Sequence, residues 1–225
     1  MKIGILQTGH SPDEVRGALG DYSDMFARLL GGRGFDFVTF NVVDGEFPAG
    51  PDDADGWLIT GSKHGAYEDH PWIPPLEALI RAIRDSGKPL IGVCFGHQII
   101  AQALGGRVEK FGGGWAVGPT AYDFEGETMT LNAWHQDQVT TLPEGARVLA
   151  SNDFCANAAL AYGDTILTIQ PHPEFGKPFI EGLITHRAPG VVPAEQIADA
   201  RDRLDVPLDS TRFADRMAAF FKRTA

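Results

Sequence analysis

Cysteine is scarce in this chain, with only Cys94 and Cys155 among 225 residues. Two thiols cannot build the disulfide framework of a small secreted scaffold, so both are expected to stay reduced, and the question becomes what each one does. Positive charge is also short: 19 Lys and Arg stand against 30 Asp and Glu, for a net charge of −11. That balance argues against nucleic acid or an anionic membrane as a partner, since either needs a basic face, and leaves room only for local basic pockets. Long apolar runs are missing as well. The opening Met1-Lys2-Ile3-Gly4-Ile5-Leu6-Gln7 is too short for a signal peptide and far below the ~20 apolar residues of a membrane helix, so a cytoplasmic protein is expected. No glycine-rich phosphate loop precedes a helix. Gly31-Gly32-Arg33-Gly34 follows a helical pattern and reads as a helix stop, so no nucleotide cofactor is expected.

The hydrophobic content of 43% and charged content of 22% are those of an ordinary globular protein. The length suits one domain spanning 1–225, large enough to bury a sheet on both faces under covering helices. The patterning predicts strands at 2–7, 35–42 and 56–60 and helices at about 21–30 and 73–86. A compact apolar strand follows at 88–93, then a helix that stops at Gly105-Gly106. From 107 to 170 the pattern changes to short segments between Gly, Asn, Asp and Pro turns, expected to be mostly antiparallel strands. Helical patterns return at about 178–187 and 211–222. The expected fold is α/β: an open, mainly parallel, flavodoxin-like sheet flanked by helices, with an antiparallel segment extending it or standing beside it.

Two motifs carry chemistry. In Gly92-Val93-Cys94-Phe95-Gly96-His97-Gln98 an apolar strand meets a helix through a turn bounded by glycines, the shape of a nucleophile elbow. Such a turn exposes the thiol at a helix N-terminus, whose dipole favours a thiolate, and aims the Phe95 backbone N–H at a developing oxyanion. The alternative for Cys94 is a small buried core residue. The second motif, Pro171-His172-Pro173-Glu174, follows an apolar strand. A carboxylate two positions from a histidine can orient its ring and stabilise the imidazolium while the other ring nitrogen serves a nucleophile.

Together, Gly-x-Cys-x-Gly-x-Gln and a late Gln-x-His-Pro-Glu, in this order, resemble the class I glutamine amidotransferase family over nearly the whole chain, including the amidotransferase domain of GMP synthase. The resemblance implies Cys94 as nucleophile, His172 as base and Glu174 as its orienter. Gly56-Trp57-Leu58-Ile59-Thr60-Gly61-Ser62 resembles the family's oxyanion strand, with Ser62 where a second glycine is usual; the donor N–H is expected from Gly61 or Ser62 together with Phe95. Gln98 and His135, the latter in Trp134-His135-Gln136-Asp137, resemble residues lining the amino-acid end of the substrate. The implied reaction is hydrolysis of a γ-glutamyl amide through a thioester, with no cofactor or metal. Glutamine and γ-glutamyl peptides both fit, and the resemblance extends to proteins that pass ammonia to a separate synthase. A third class, a stress or binding protein with an elbow cysteine, would have no use for the His-Pro-Glu pair.

Other features read as structural. His64, Asp69 and His70 lack a third ligand at a metal-binding spacing and read as a loop over the active site. Gly112-Gly113-Gly114-Trp115 reads as a turn near the pocket, and Cys155, among Phe154, Ala156 and Ala158, as inert core.

Overall fold

The computed structural model describes residues 1–223. Strands β1 (Lys2–Leu6), β2 (Asp36–Phe40), β3 (Gly56–Ile59) and β4 (Leu90–Val93) are joined through helices α1 (Asp13–Leu19), α2 (Tyr22–Leu29) and α3 (Ile73–Ser86). Helix α4 (Phe95–Ala103) leads to β5 (Arg107–Lys110), β6 (Ala116–Phe124), β7 (Glu127–His135), β8 (Asp137–Thr141), β9 (Ala146–Ser151), β10 (Ala159–Tyr162) and β11 (Ile166–Ile169). Helices α5 (Lys177–His186), α6 (Ala194–Asp202) and α7 (Ser210–Arg223) follow.

Nine strands form one sheet in the order β2-β1-β3-β4-β11-β10-β9-β6-β7. The pairings from β2 through β11 are parallel, and those from β11 to β7 are antiparallel. The middle of the chain takes both expected roles, since β10, β9, β6 and β7 extend the sheet while β5 and β8 form a separate antiparallel pair. Strand β11 ends the run expected to be mostly antiparallel; it pairs antiparallel with β10 and also inserts beside β4 as a parallel neighbour, with Ile169 opposite Val93. Its residues Ile166–Ile169 are all buried. A short run buried on both faces belongs in the middle of a sheet.

The central strands are covered on both sides. Leu58, Ile91, Val93, Leu167 and Ile169 pack with Phe26 of α2 and Phe213, Met217 and Phe221 of α7. Trp57, Ile59, Leu90 and Ile166 pack on the opposite face with Leu76, Ile80 and Ile83 of α3 and Ile99 and Ile100 of α4. Each such side chain contributes roughly 1.5–3 kcal/mol of burial, which is why the two flanking layers hold the strand ends in fixed register. Helices α1 and α6 have no counterpart in the expected elements. Each buries a single residue, Val15 and Ala200 respectively, too little to imprint an apolar stripe on the sequence.

Candidate active site

Three parallel neighbours, β3, β4 and β11, end together, and each delivers one part of the site just past its C-terminal end. Strand β3 is followed by Gly61 and Ser62, β4 by Cys94 and β11 by His172. This is where an open α/β sheet presents its crevice.

Cys94 caps α4 in a strained conformation, φ 53° and ψ −104°. A non-glycine residue held there costs on the order of 1–3 kcal/mol, a cost sustained only by surroundings that over-determine it. Those surroundings are visible. The Cys94 N–H donates to Ile169 O at 2.8 Å and the Gly96 N–H to Thr60 O at 3.1 Å, tying the elbow to both neighbouring strands. A Cβ on Gly96 would lie 2.4 Å from Ile59 O, and one on Gly92 2.5 Å from Gly96 O. Both glycines are therefore required by the close approach of α4 to the sheet.

His172 is fixed on every side. Its ring is buried, its Nδ1 lies 2.7 Å from Glu174 Oε1, and it stacks on Phe175 at 3.9 Å and 6°. Its backbone N–H donates to Asn132 O at 2.8 Å, and Asn132 Nδ2 donates to Phe175 O at 2.7 Å. Burial alone would push this imidazole down. The Glu174 carboxylate and the Cys94 side chain, through charge and hydrogen bonds, outweigh burial and raise His172 to about 10. With Nδ1–H assigned to Glu174, Nε2 is left for Cys94.

Gly61 lies against both partners: a Cβ there would sit 3.0 Å from His172 Cε1 and 3.8 Å from Cys94 Cβ. The Gly61–Ser62 turn is latched from behind, since Thr8 Oγ1 donates to Thr60 O at 3.0 Å and to Gly61 O at 3.2 Å. The backbone N–H groups of Gly61, Ser62 and Phe95 have no acceptor among the described residues.

Gln98 and His135 are buried and line the same cavity as Cys94 and His172. Gln98 is also satisfied internally, its Nε2 donating to Asp137 O at 2.9 Å and Gln170 Oε1 at 3.1 Å. Burial, then the positive charge of His172, push His135 down to about 3. Of the residues singled out from the sequence, Ser62, Cys94, Gln98, His135 and His172 line the cavity, while Gly61 and Glu174 contact His172 from beside it and Phe95 follows Cys94 into α4. Those that sequence reasoning missed are Phe175, Asn132, Thr8 and Tyr22, which support or wall the site. Only Phe175, next to the His-Pro-Glu motif, carried a signal. Trp115, after the glycine turn, lines the cavity, whereas Cys155 is buried away from solvent and burial pushes its thiol up to about 12. Near the cavity mouth, the acid that meets both His64 and His70 is Glu68; Asp69 is exposed.

The profile of the glutamine amidotransferase class-I family matches residues 35–178. The chain belongs to this family, and it is an enzyme of the amidotransferase or hydrolase type. Gamma-glutamyl peptidase 4 of Arabidopsis thaliana is 36% identical over 181 residues, covering 73% of this chain and 72% of the relative. A glutamine-hydrolyzing GMP synthase subunit from Halobacterium salinarum is 32% identical over 167 residues, 69% of this chain and 84% of the relative. Among solved structures, a glutamine amidotransferase from Methylobacillus flagellatus shares the fold with a TM-score of 0.77 at 23% identity, over 99% of this chain and 94% of that one. No helix among the described residues is long and apolar enough to cross a membrane.

Proposed function

We propose that the protein hydrolyses a γ-glutamyl amide through a thioester on Cys94, and that its substrate is a γ-glutamyl peptide. The observation that carries the chemistry is the buried chain of contacts from Glu174 through His172 to a thiol on a strained elbow, with Gly61 packed against both reacting side chains. The raised His172 holds a proton, and in the reacting pair that proton is the one the Cys94 thiol gives up as its sulfur attacks. The Cys94 sulfur adds to the γ-carbonyl carbon, and N–H groups of Phe95 and the Gly61–Ser62 turn receive the oxyanion, each such donor being worth on the order of 10²–10³ in rate. The imidazolium gives its proton to the leaving nitrogen, the C–N bond breaks and a γ-glutamyl thioester remains. Neutral His172 then takes a proton from water, hydroxide adds to the thioester carbonyl, and the thiolate departs as glutamate is released. Gln98 and His135 line the amino-acid end.

The preference for a peptide rests on the cavity. Its volume of about 650 Å³ falls in the range of sites for drug-sized ligands and is roomier than a free amino acid requires. Lys63 and Lys110 on its wall form no ion pair with any described residue and are available to a peptide carboxylate. The Arabidopsis relative named as a gamma-glutamyl peptidase supports the same reading. The Halobacterium relative, part of a synthase by name, supports a second one in which ammonia from glutamine passes to a separate synthase.

The test is glutamate release from glutathione and from L-glutamine, side by side, with Cys94→Ala as blank. Higher kcat/KM on glutathione, abolished in the blank, is expected. Preference for glutamine moves the reading to ammonia supply, and silence on both substrates overturns the hydrolytic reading in favour of a partner-dependent or binding protein.

A further inference from the structure

The wall of the cavity carries a second cluster that the hydrolytic chemistry does not use. His64, Glu68 and His70 come from one seven-residue stretch between Ser62 and α3, and their candidate ligand atoms all lie within 4.8 Å of one another. Glu68 Oε2 stands 3.3 Å from His64 Nδ1 and 2.8 Å from His70 Nε2. We propose that these three side chains form a binding site for a borderline divalent cation of the zinc type at the mouth of the active-site cavity.

Three features of the stretch support the assignment. The ligands are preorganised by the backbone: Ser62 Oγ accepts from the His64 N–H at 3.1 Å, Gly65 O from the Glu68 N–H at 3.1 Å and Glu68 O from the His70 N–H at 3.1 Å. The rings are held by an aromatic wall, with Trp72 parallel to His70 at 5.7 Å and 10° and edge-on to His64 at 5.9 Å. Trp72 is itself buried against Phe95 of the elbow helix, so the cluster is seated on the same helix that carries Cys94. The donor set, two imidazole nitrogens and a carboxylate oxygen, is the one that suits zinc and leaves a coordination position open.

The spacing can be checked against the ion. Bonds of ~2.0–2.1 Å in tetrahedral geometry separate ligand atoms by about 3.3 Å. The His64–Glu68 separation already has that value. The His70–Glu68 separation must open by 3.3 − 2.8, or about 0.5 Å, which rotation of the half-exposed Glu68 side chain supplies. His64 and Glu68 also line the active-site cavity, so a bound cation would clasp the segment that follows the Gly61–Ser62 turn and put positive charge beside the entrance. Hard oxygen-seeking cations such as magnesium are disfavoured by the two imidazoles.

The cysteine thiolate is the obvious competitor for the same metal, so the test removes it. Zinc affinity is measured on Cys94→Ser protein by competition with a chromophoric chelator, and again with Glu68→Gln, His70→Ala and both. Cobalt(II) spectra are recorded in parallel on the Cys94→Ser protein. One equivalent is expected, with tetrahedral cobalt bands lacking sulfur-to-metal charge transfer, and about a hundredfold weaker binding in each ligand variant. The near-isosteric Glu68→Gln guards against loss of folding in His70→Ala, and thermal melts report which variants fold. Zinc binding that is absent from Cys94→Ser, or that stays within threefold when Glu68 or His70 is replaced, overturns the proposal, whatever the fate of the γ-glutamyl assay.

Discussion

Gly61→Ala probes the proposed oxyanion turn and general base with a single methyl group. The added Cβ would meet His172 Cε1 at 3.0 Å, a tight contact that one side must relieve, and Cys94 Cβ at an ordinary 3.8 Å. The imidazole has little room to retreat, because it stacks on Phe175 at 3.9 Å and is bonded to Glu174 at 2.7 Å, all within the buried interior. The methyl must therefore displace the ring or the turn by a few tenths of an ångström. Overpacking of this kind costs about 1–3 kcal/mol, which at roughly 2–4 °C per kcal/mol for a chain of this size lowers Tm by about 2–12 °C. Misalignment of catalytic groups is expected to cost more than the fold does: kcat should fall about 10- to 100-fold. KM should change little, since the proposed seat of the substrate's amino-acid end, at Gln98 and His135, is elsewhere. Glutamate release and thermal melts, together with the rate of Cys94 alkylation by iodoacetamide, measure all three consequences. Wild-type kcat and alkylation rate in a folded Gly61→Ala protein would refute the contact between turn, base and nucleophile.

Further outcomes can be checked with the same assays. The imidazolium of His172 is held charged until pH approaches about 10, so the alkaline limb of kcat/KM should lie near that pH, where the proton for the leaving nitrogen is lost. Its stabilising effect is fully present below the ordinary histidine value of 6.5 and is lost as pH rises through about 10. Glu174→Gln removes the charge that raises it; the limb should move to lower pH and kcat/KM should fall about 10- to 100-fold, whereas an unmoved limb would sever Glu174 from His172. Cys155, buried and with its thiol pushed up, should resist alkylation in the native protein, giving one reactive thiol by mass spectrometry, and Cys155→Ala should retain activity; two equally fast thiols would contradict this. Gly96→Ala drives a Cβ to 2.4 Å from Ile59 O and should cost more than about 3 kcal/mol or prevent folding, seen as loss of the cooperative melt.

The site was legible in the sequence to the extent that its chemistry is written in local turns. Cys94 between Gly92 and Gly96, and Glu174 two residues after His172, are short-range patterns, and the backbone obeys them: a strained elbow and a 2.7 Å carboxylate–imidazole contact. The long amphipathic helices were legible for the same reason, since α3 and α7 each bury one repeating face. Helices α1 and α6, with one buried residue apiece, left no such trace.

What no local pattern contains is adjacency. That β11 pairs parallel with β4 as well as antiparallel with β10 is decided by burial on both faces of the sheet, a property of the assembled layers. That placement alone brings His172 to Cys94. The support that Asn132 gives to Phe175 and to the His172 backbone likewise exists only once β7 has met the turn after β11. Residue type and short spacing thus determined which groups can react. The tertiary structure decided which of them meet, because distances between groups far apart in the chain are set by the packing of whole strands and helices.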